Sequence, residues 1–239
     1  MYCKLKKTEG IILSDTLTLK HSKEKWDATS ISSLDSHISF LIQENEYIKI
    51  KEIHPLKKNI SYNLQYLQFL NRVIDDISMS NVIYVQNIKS FLVIGSSIIE
   101  SIFYYLVVSS GNRKTVNFKS INKVKSQEYK IDSKVYNNEI EIFEKTTHQL
   151  NTQMTFDRLI KIVKSKKLLG EKFKRYAGIK KLRQLRNKIH IHGTEHYFDT
   201  DWNNFSNEEY ELIKGILFEI FTSKPFKESK YLKKFNFLK

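Results

Sequence analysis

Residues 91–108 read FLVIGSSIIESIFYYLVV, and how this stretch is placed decides the fold. Its length approaches a bilayer span, but Glu100 and the hydroxyls of Ser96, Ser97 and Ser101 interrupt it. A carboxylate in hydrocarbon is costly, so the stretch reads as a core helix with no membrane partner. A helix that is apolar on most sides belongs at the centre of a bundle. Upstream, Asn81 stands where a cap opens this helix, and Ser110-Gly111 closes it.

Further out, Leu64, Leu67, Leu70, Val73, Ile74 and Ile77 recur at three- and four-residue steps, which predicts a helix from Ser61. Thr155 opens another helix, with Leu159, Ile160, Ile162 and Val163 inward, and Gly170 punctuates it. A helix over Lys172–Ile191 follows, ending at Gly193. Ser206 and Glu209 form a capping box for a last helix, Asn207–Phe221, before Pro225. Between these, YKID and EIEIF alternate around Tyr136-Asn137-Asn138, the pattern of a β-hairpin. The fold class is therefore mainly α, a bundle of four to five helices with a small β-hairpin insertion. Its helical domain covers 58–223, with the insertion at 113–150. Residues 1–57, with short apolar runs such as Gly10–Leu13, form an N-terminal extension that closes on His54-Pro55 and holds a strand or two and a helix near Ser33–Glu46. A Lys/Phe tail covers 224–239.

Two prolines and seven glycines in 239 residues suit long helices and argue against Gly-rich phosphate loops. A lone cysteine, Cys3, excludes an internal disulfide framework and a cysteine zinc ribbon. With no apolar signal core in MYCKLKKTEG, the reading is a soluble, cytoplasmic protein. Trp26 and Trp202 read as packing anchors, and Phe103-Tyr104-Tyr105 as core. The net charge is +14, and it is unevenly placed. Arg158–Lys188 holds 13 Lys/Arg against Glu171 alone, a local +12. A field of that sign draws polyanions, and RNA is the partner it suggests; a solvated lysine face is the alternative.

The basic run ends in LRQLRNKIHIHGTEH, residues 182–196. Three chemistries compete for it. His190-x-His192 with Glu195-His196 superficially resembles the HxHxDH metal signature, but there is one residue too many and Glu stands for Asp. Neighbouring cations also oppose a divalent ion, so no metal and no cofactor is expected. Alternatively, Arg183, Arg186, Asn187 and His190 share one helix face, with His192 just past them. Guanidinium forks, an amide and an imidazole suffice to cleave RNA through its own 2′-hydroxyl. The products are a 2′,3′-cyclic phosphate and a 5′-hydroxyl, and DNA, lacking the 2′-OH, does not react. The third reading is structural, with arginines and histidines simply finishing a helix.

The segment Arg186-Asn187-Lys188-Ile189-His190-Ile191-His192-Gly193 resembles the R-x4–6-H motif of the HEPN superfamily. Arg186 to His192 is R-x5-H, and Arg183 to His190 is R-x6-H. The likeness extends over roughly residues 60–222, including an apolar helix with an embedded Glu100 before the motif. It implies a metal-independent endoribonuclease that works as a homodimer, two motifs meeting in a composite cleft. On that resemblance His192 is the base or acid, with His190 its rival, Arg186 binds the scissile phosphate and Asn187 orients it. Arg183, Lys188, Lys181 and Lys180 bind RNA, and Glu100 supports an arginine. The setting implied is a prokaryotic toxin or antiphage effector, with an antitoxin or defence-system protein as a further partner. In one subgroup a tyrosine two residues after the histidine is modified by the antitoxin; here that position is Thr194. Some HEPN domains only bind RNA or proteins, which is the competing expectation.

Overall fold

The computed structural model describes residues 18–19, 29–189, 196–226 and 235–239. The apolar run Gly10–Leu13, Cys3, Trp26 and the histidines His190 and His192 lie outside them. The described chain is mainly helical, ordered β1(Thr18–Leu19), α1(Ile31–Leu41), α2(Ile50–Asp76), β2(Ile77–Ser78) and α3(Asn81–Ser109). Four strands follow, β3(Thr115–Lys125), β4(Tyr129–Ile131), β5(Lys134–Tyr136) and β6(Glu139–Asn151). The chain then continues through α4(Phe156–Ser165), α5(Tyr176–Asn187), α6(Asp201–Asn204) and α7(Asn207–Phe221).

The stretch 91–108 is the heart of the bundle. Helix α3 packs against α2, α4, α5 and α7, and Phe91, Ile99, Phe103, Val107 and Val108 are wholly buried. It is long and apolar enough to cross a membrane by composition, yet the surrounding helices enclose it. Ser80 caps it, and Asn81 is its first residue rather than its cap. Gly111 ends it in a left-handed turn at φ 72°. Thr155 caps α4 by accepting from the Arg158 amide, and Ser206 with Glu209 closes the capping box of α7.

Helix α2 starts at Ile50 and runs through Pro55, so the break expected at His54-Pro55 does not occur. Proline's φ is already helical, and its missing N–H strands only the carbonyl of solvent-facing Lys51. Burial of Ile53 and Ile60 holds the helix on both sides. Residues of the expected extension therefore build the core: Leu34, Ile38, Ile42, Ile48 and Ile53 are buried. The tail also packs inward, with Phe235 stacked 4.2 Å from Phe221 and Leu238 buried. Of the tail's described residues, Phe226, Phe235 and Leu238 belong to the core.

The insertion is a two-stranded antiparallel arm, β3 with β6, tipped by β4 and β5. Its turn sits at Asp132-Ser133 rather than at Asn137-Asn138. Both turn residues have positive φ, 45° and 65°, which twists the two-residue loop to match its strands. Asn138 instead bonds Ser126 across the base of the tip. The arm carries Phe118, Ile140, Ile142 and Phe143 in solvent.

Candidate functional site

Helix α5 brings the site to the bundle. Tyr176, Ile179, Leu182 and Leu185 repeat every three residues and are buried, which turns the arginines between them along the flank. Gly178 lets α7 come close, since a Cβ there would meet Ile216 Cδ1 at 2.9 Å. On α3, Gly95 faces the same helix, where an added Cβ would lie 2.6 Å from Ile213 Cδ1. Two side-chain-free positions thus seat α7 against both helices of the site.

The end of α5 lies beside Glu100 of α3. Arg186 donates from Nη1 to Glu100 Oε2, with both side chains about two-thirds buried, 32% and 27% exposed. Five N–H donors on one guanidinium leave it able to hold this carboxylate and a second anion. Arg183 turns elsewhere, to Asp157 of α4 at 3.7 Å, and its Nε is buried without a hydrogen-bond partner among the described residues. Helix α5 ends at Asn187, and His190, expected on the helical face of Arg183, Arg186 and Asn187, lies outside the described residues. Asn187 itself is exposed.

The basic run looks different in space. Six of its thirteen cations pair with carboxylates from outside it: Lys161 and Arg183 with Asp157, Arg175 with Glu219, Lys181 with Glu208 and Glu209, Arg186 with Glu100, Lys188 with Asp199. The field expected from a local +12 is correspondingly reduced near α5. Lys181 sits 2.8 Å from Glu209, whose hydrogen bond raises the lysine's pKa. For Glu209, burial pushes the carboxyl up, but Lys181 and Ser206 outweigh it and the net shift is downward. Lys180 remains exposed, as do Arg158, Lys164, Lys166, Lys172 and Lys174 around α4.

Comparison with protein-family models, curated proteins and solved structures finds no match. The geometry of the chain itself must carry the functional reading.

A cavity of about 450 Å³ opens next to the Arg186–Glu100 pair. Glu100 lines it together with Tyr104, Arg113, Gln153 and Met154. Arg113 grips Glu52 through Nη2 at 2.8 Å and Nη1 at 3.3 Å, and also donates to the Tyr104 hydroxyl. The hydrogen bond from Arg113 is the main cause that holds the Glu52 carboxyl below its usual range, while burial pushes the Tyr104 phenol up. Sequence reasoning did not find this trio, because its members sit on α2, on α3 and before β3 with no periodic link. Trp202, expected as a packing anchor, is 54% exposed on short α6.

Among the described residues no three His, Cys, Asp or Glu side chains gather as a metal site. Chemically, the site offers a braced guanidinium on a rigid helix, immediately before the segment that bears His190 and His192.

Proposed function

We propose that the chain is a metal-independent endoribonuclease of HEPN type. The observation that carries the reading is Arg186, fixed by Glu100 at the end of α5 and still one-third exposed. A guanidinium braced from behind is preorganised for the charge that builds on a phosphorane. Four residues beyond Arg186 comes His190, and six beyond comes His192. In this reading His192, or His190 in its place, takes the 2′-hydroxyl proton. Oxygen O2′ attacks phosphorus, the bond to O5′ breaks, and the leaving O5′ is protonated. The products are a 2′,3′-cyclic phosphate and a 5′-hydroxyl end. Asn187 orients the phosphate, and Arg183, Lys188, Lys181 and Lys180 supply weaker attraction than a free run would. A homodimer joins two such sites, and the setting is a cytoplasmic toxin or antiphage effector with an antitoxin or defence-system partner.

The second reading is an RNA- or protein-binding module of the same type without catalysis, and the pairing of basic side chains with acids favours its protein-binding form. Digestion of RNA in EDTA separates the two. Cleavage that survives EDTA, spares DNA, and disappears in Arg186→Ala and His192→Ala supports the enzyme. Activity lost to EDTA and restored by zinc refutes the mechanism, and RNA binding without cleavage at any concentration selects the module.

A further inference from the structure

Immediately after the histidine segment the chain makes a turn whose rings point into water. Tyr197 is 92% exposed and Phe198 74%, the highest values among large hydrophobic side chains of the described residues. Their rings meet edge to face at 5.2 Å and 87°. An aromatic ring in water is ordinarily found on mobile chain, but this backbone is tied down. Asp199 N–H donates to the His196 carbonyl at 2.9 Å, and Asn203 Nδ2 donates to the Phe198 carbonyl at 2.9 Å. Asp199 is ion-paired to Lys188 just past α5, and Asp201 to Lys89 of α3 at 2.8 Å. Ion pairs at Asp199 and Asp201 hold the turn on its downstream side, and neither ring joins the core.

We propose that Tyr197 and Phe198 form a stacking platform for bases of single-stranded RNA. Every base has a π-face, and aromatic side chains on a rigid support bind successive bases with little sequence preference. The charge of the chain, +14, attracts a polyanion. Position adds the second reason: the Lys188–Asp199 pair links the turn to the end of α5, two residues past Arg186. That ion pair ties the turn to the helix end that carries Arg186. The two rings stand at a right angle in water, and the face each leaves exposed can take one planar base. The inference rests on the RNA reading above but not on catalysis.

The test uses a labelled single-stranded oligonucleotide carrying 2′-O-methyl groups throughout, which cannot be cut by 2′-OH attack. Fluorescence anisotropy at several salt concentrations compares the wild type with Tyr197→Ala/Phe198→Ala, with the ring-preserving swap Tyr197→Phe/Phe198→Tyr, and with Lys180→Ala. Loss of the two rings is expected to weaken binding by about 30-fold or more, with the salt slope unchanged. The swap restores affinity, whereas Lys180→Ala lowers the slope. On an abasic oligonucleotide the wild type and the double alanine variant should bind alike. Equal affinity of wild type and double alanine variant for the base-bearing strand overturns the proposal, as does absence of binding by the wild type. So does a loss of affinity that tracks a halving of the particle mass, which assigns the rings to a contact between chains. Phe198→Ala alone serves if the double variant melts differently from wild type. If unmodified RNA is never cut while the ring dependence holds, the ribonuclease reading fails and the platform stands.

Discussion

Replacing one glycine by alanine tests how α7 is seated. A Cβ on Gly95 would lie 2.6 Å from Ile213 Cδ1, 3.1 Å from Ile213 Cγ1 and 3.2 Å from Leu217 Cδ1. Both neighbours are fully buried, so neither has empty space to enter. Overpacking of this kind costs about 1–3 kcal/mol, against roughly 1 kcal/mol gained in helix propensity. Three close contacts place Gly95→Ala in the upper part of the range, a net loss of about 1–2 kcal/mol. Gly215 on α7 has nothing within 4 Å of its added Cβ, so Gly215→Ala keeps the propensity gain alone. For a chain of this size 1 kcal/mol moves Tm by about 2–4 °C. Calorimetry should therefore show Gly215→Ala melting roughly 2–4 °C above wild type and Gly95→Ala about 2–8 °C below. A Gly95→Ala protein as stable as Gly215→Ala would refute the close approach of α3 and α7.

Three further outcomes are expected. In a double-mutant cycle of Arg186→Gln and Glu100→Gln, the pair should show a coupling of about 1 kcal/mol, because it is partly screened but charged. Additivity of the two single changes within roughly 0.5 kcal/mol would dismiss the pair. Ser206→Ala removes half of the capping box and should lower stability by about 1 kcal/mol in urea titration, with no change of slope. Glu52 is held below its ordinary value of 4.5 by Arg113, so its contribution is present above that pH and fades as pH falls through the folded value. The stability lead of wild type over Glu52→Gln should accordingly be full at about pH 7 and shrink as the solution is acidified; a lead that grows on acidification contradicts this sign.

Where local chemistry decides, the sequence was readable. Thr155 and the Ser206/Glu209 box mark boundaries because caps act within four residues, whereas α4 ends at Ser165 through left-handed Lys167, ahead of Gly170. The apolar run at 91–108 likewise announced a central helix. Helix α2 was misread at Pro55 because a proline near a helix start looks the same in sequence as one that ends it. The hairpin was legible as alternation, but its turn was misplaced, since Asp132-Ser133 is a less obvious turn pair than Asn137-Asn138. At the site, Glu100 was singled out as a partner for an arginine, and the geometry places it on Arg186. The neutralisation of the basic run was not legible. Apart from Asp157, one turn before Lys161 on α4, its partners Asp199, Glu208, Glu209 and Glu219 come to it through packing alone.

The arm has a consequence for how the chain tolerates change. Thr115 pairs with Asn151, and Thr152 N–H reaches the Lys114 carbonyl at 3.1 Å, so the excursion begins and ends at one point. To the helices, everything from 115 to 151 is equivalent to a tight connection between α3 and α4. Lineages or engineers can therefore shorten, lengthen or exchange it without rerouting the bundle, and the same point is a natural place to graft a foreign hairpin or a reporter.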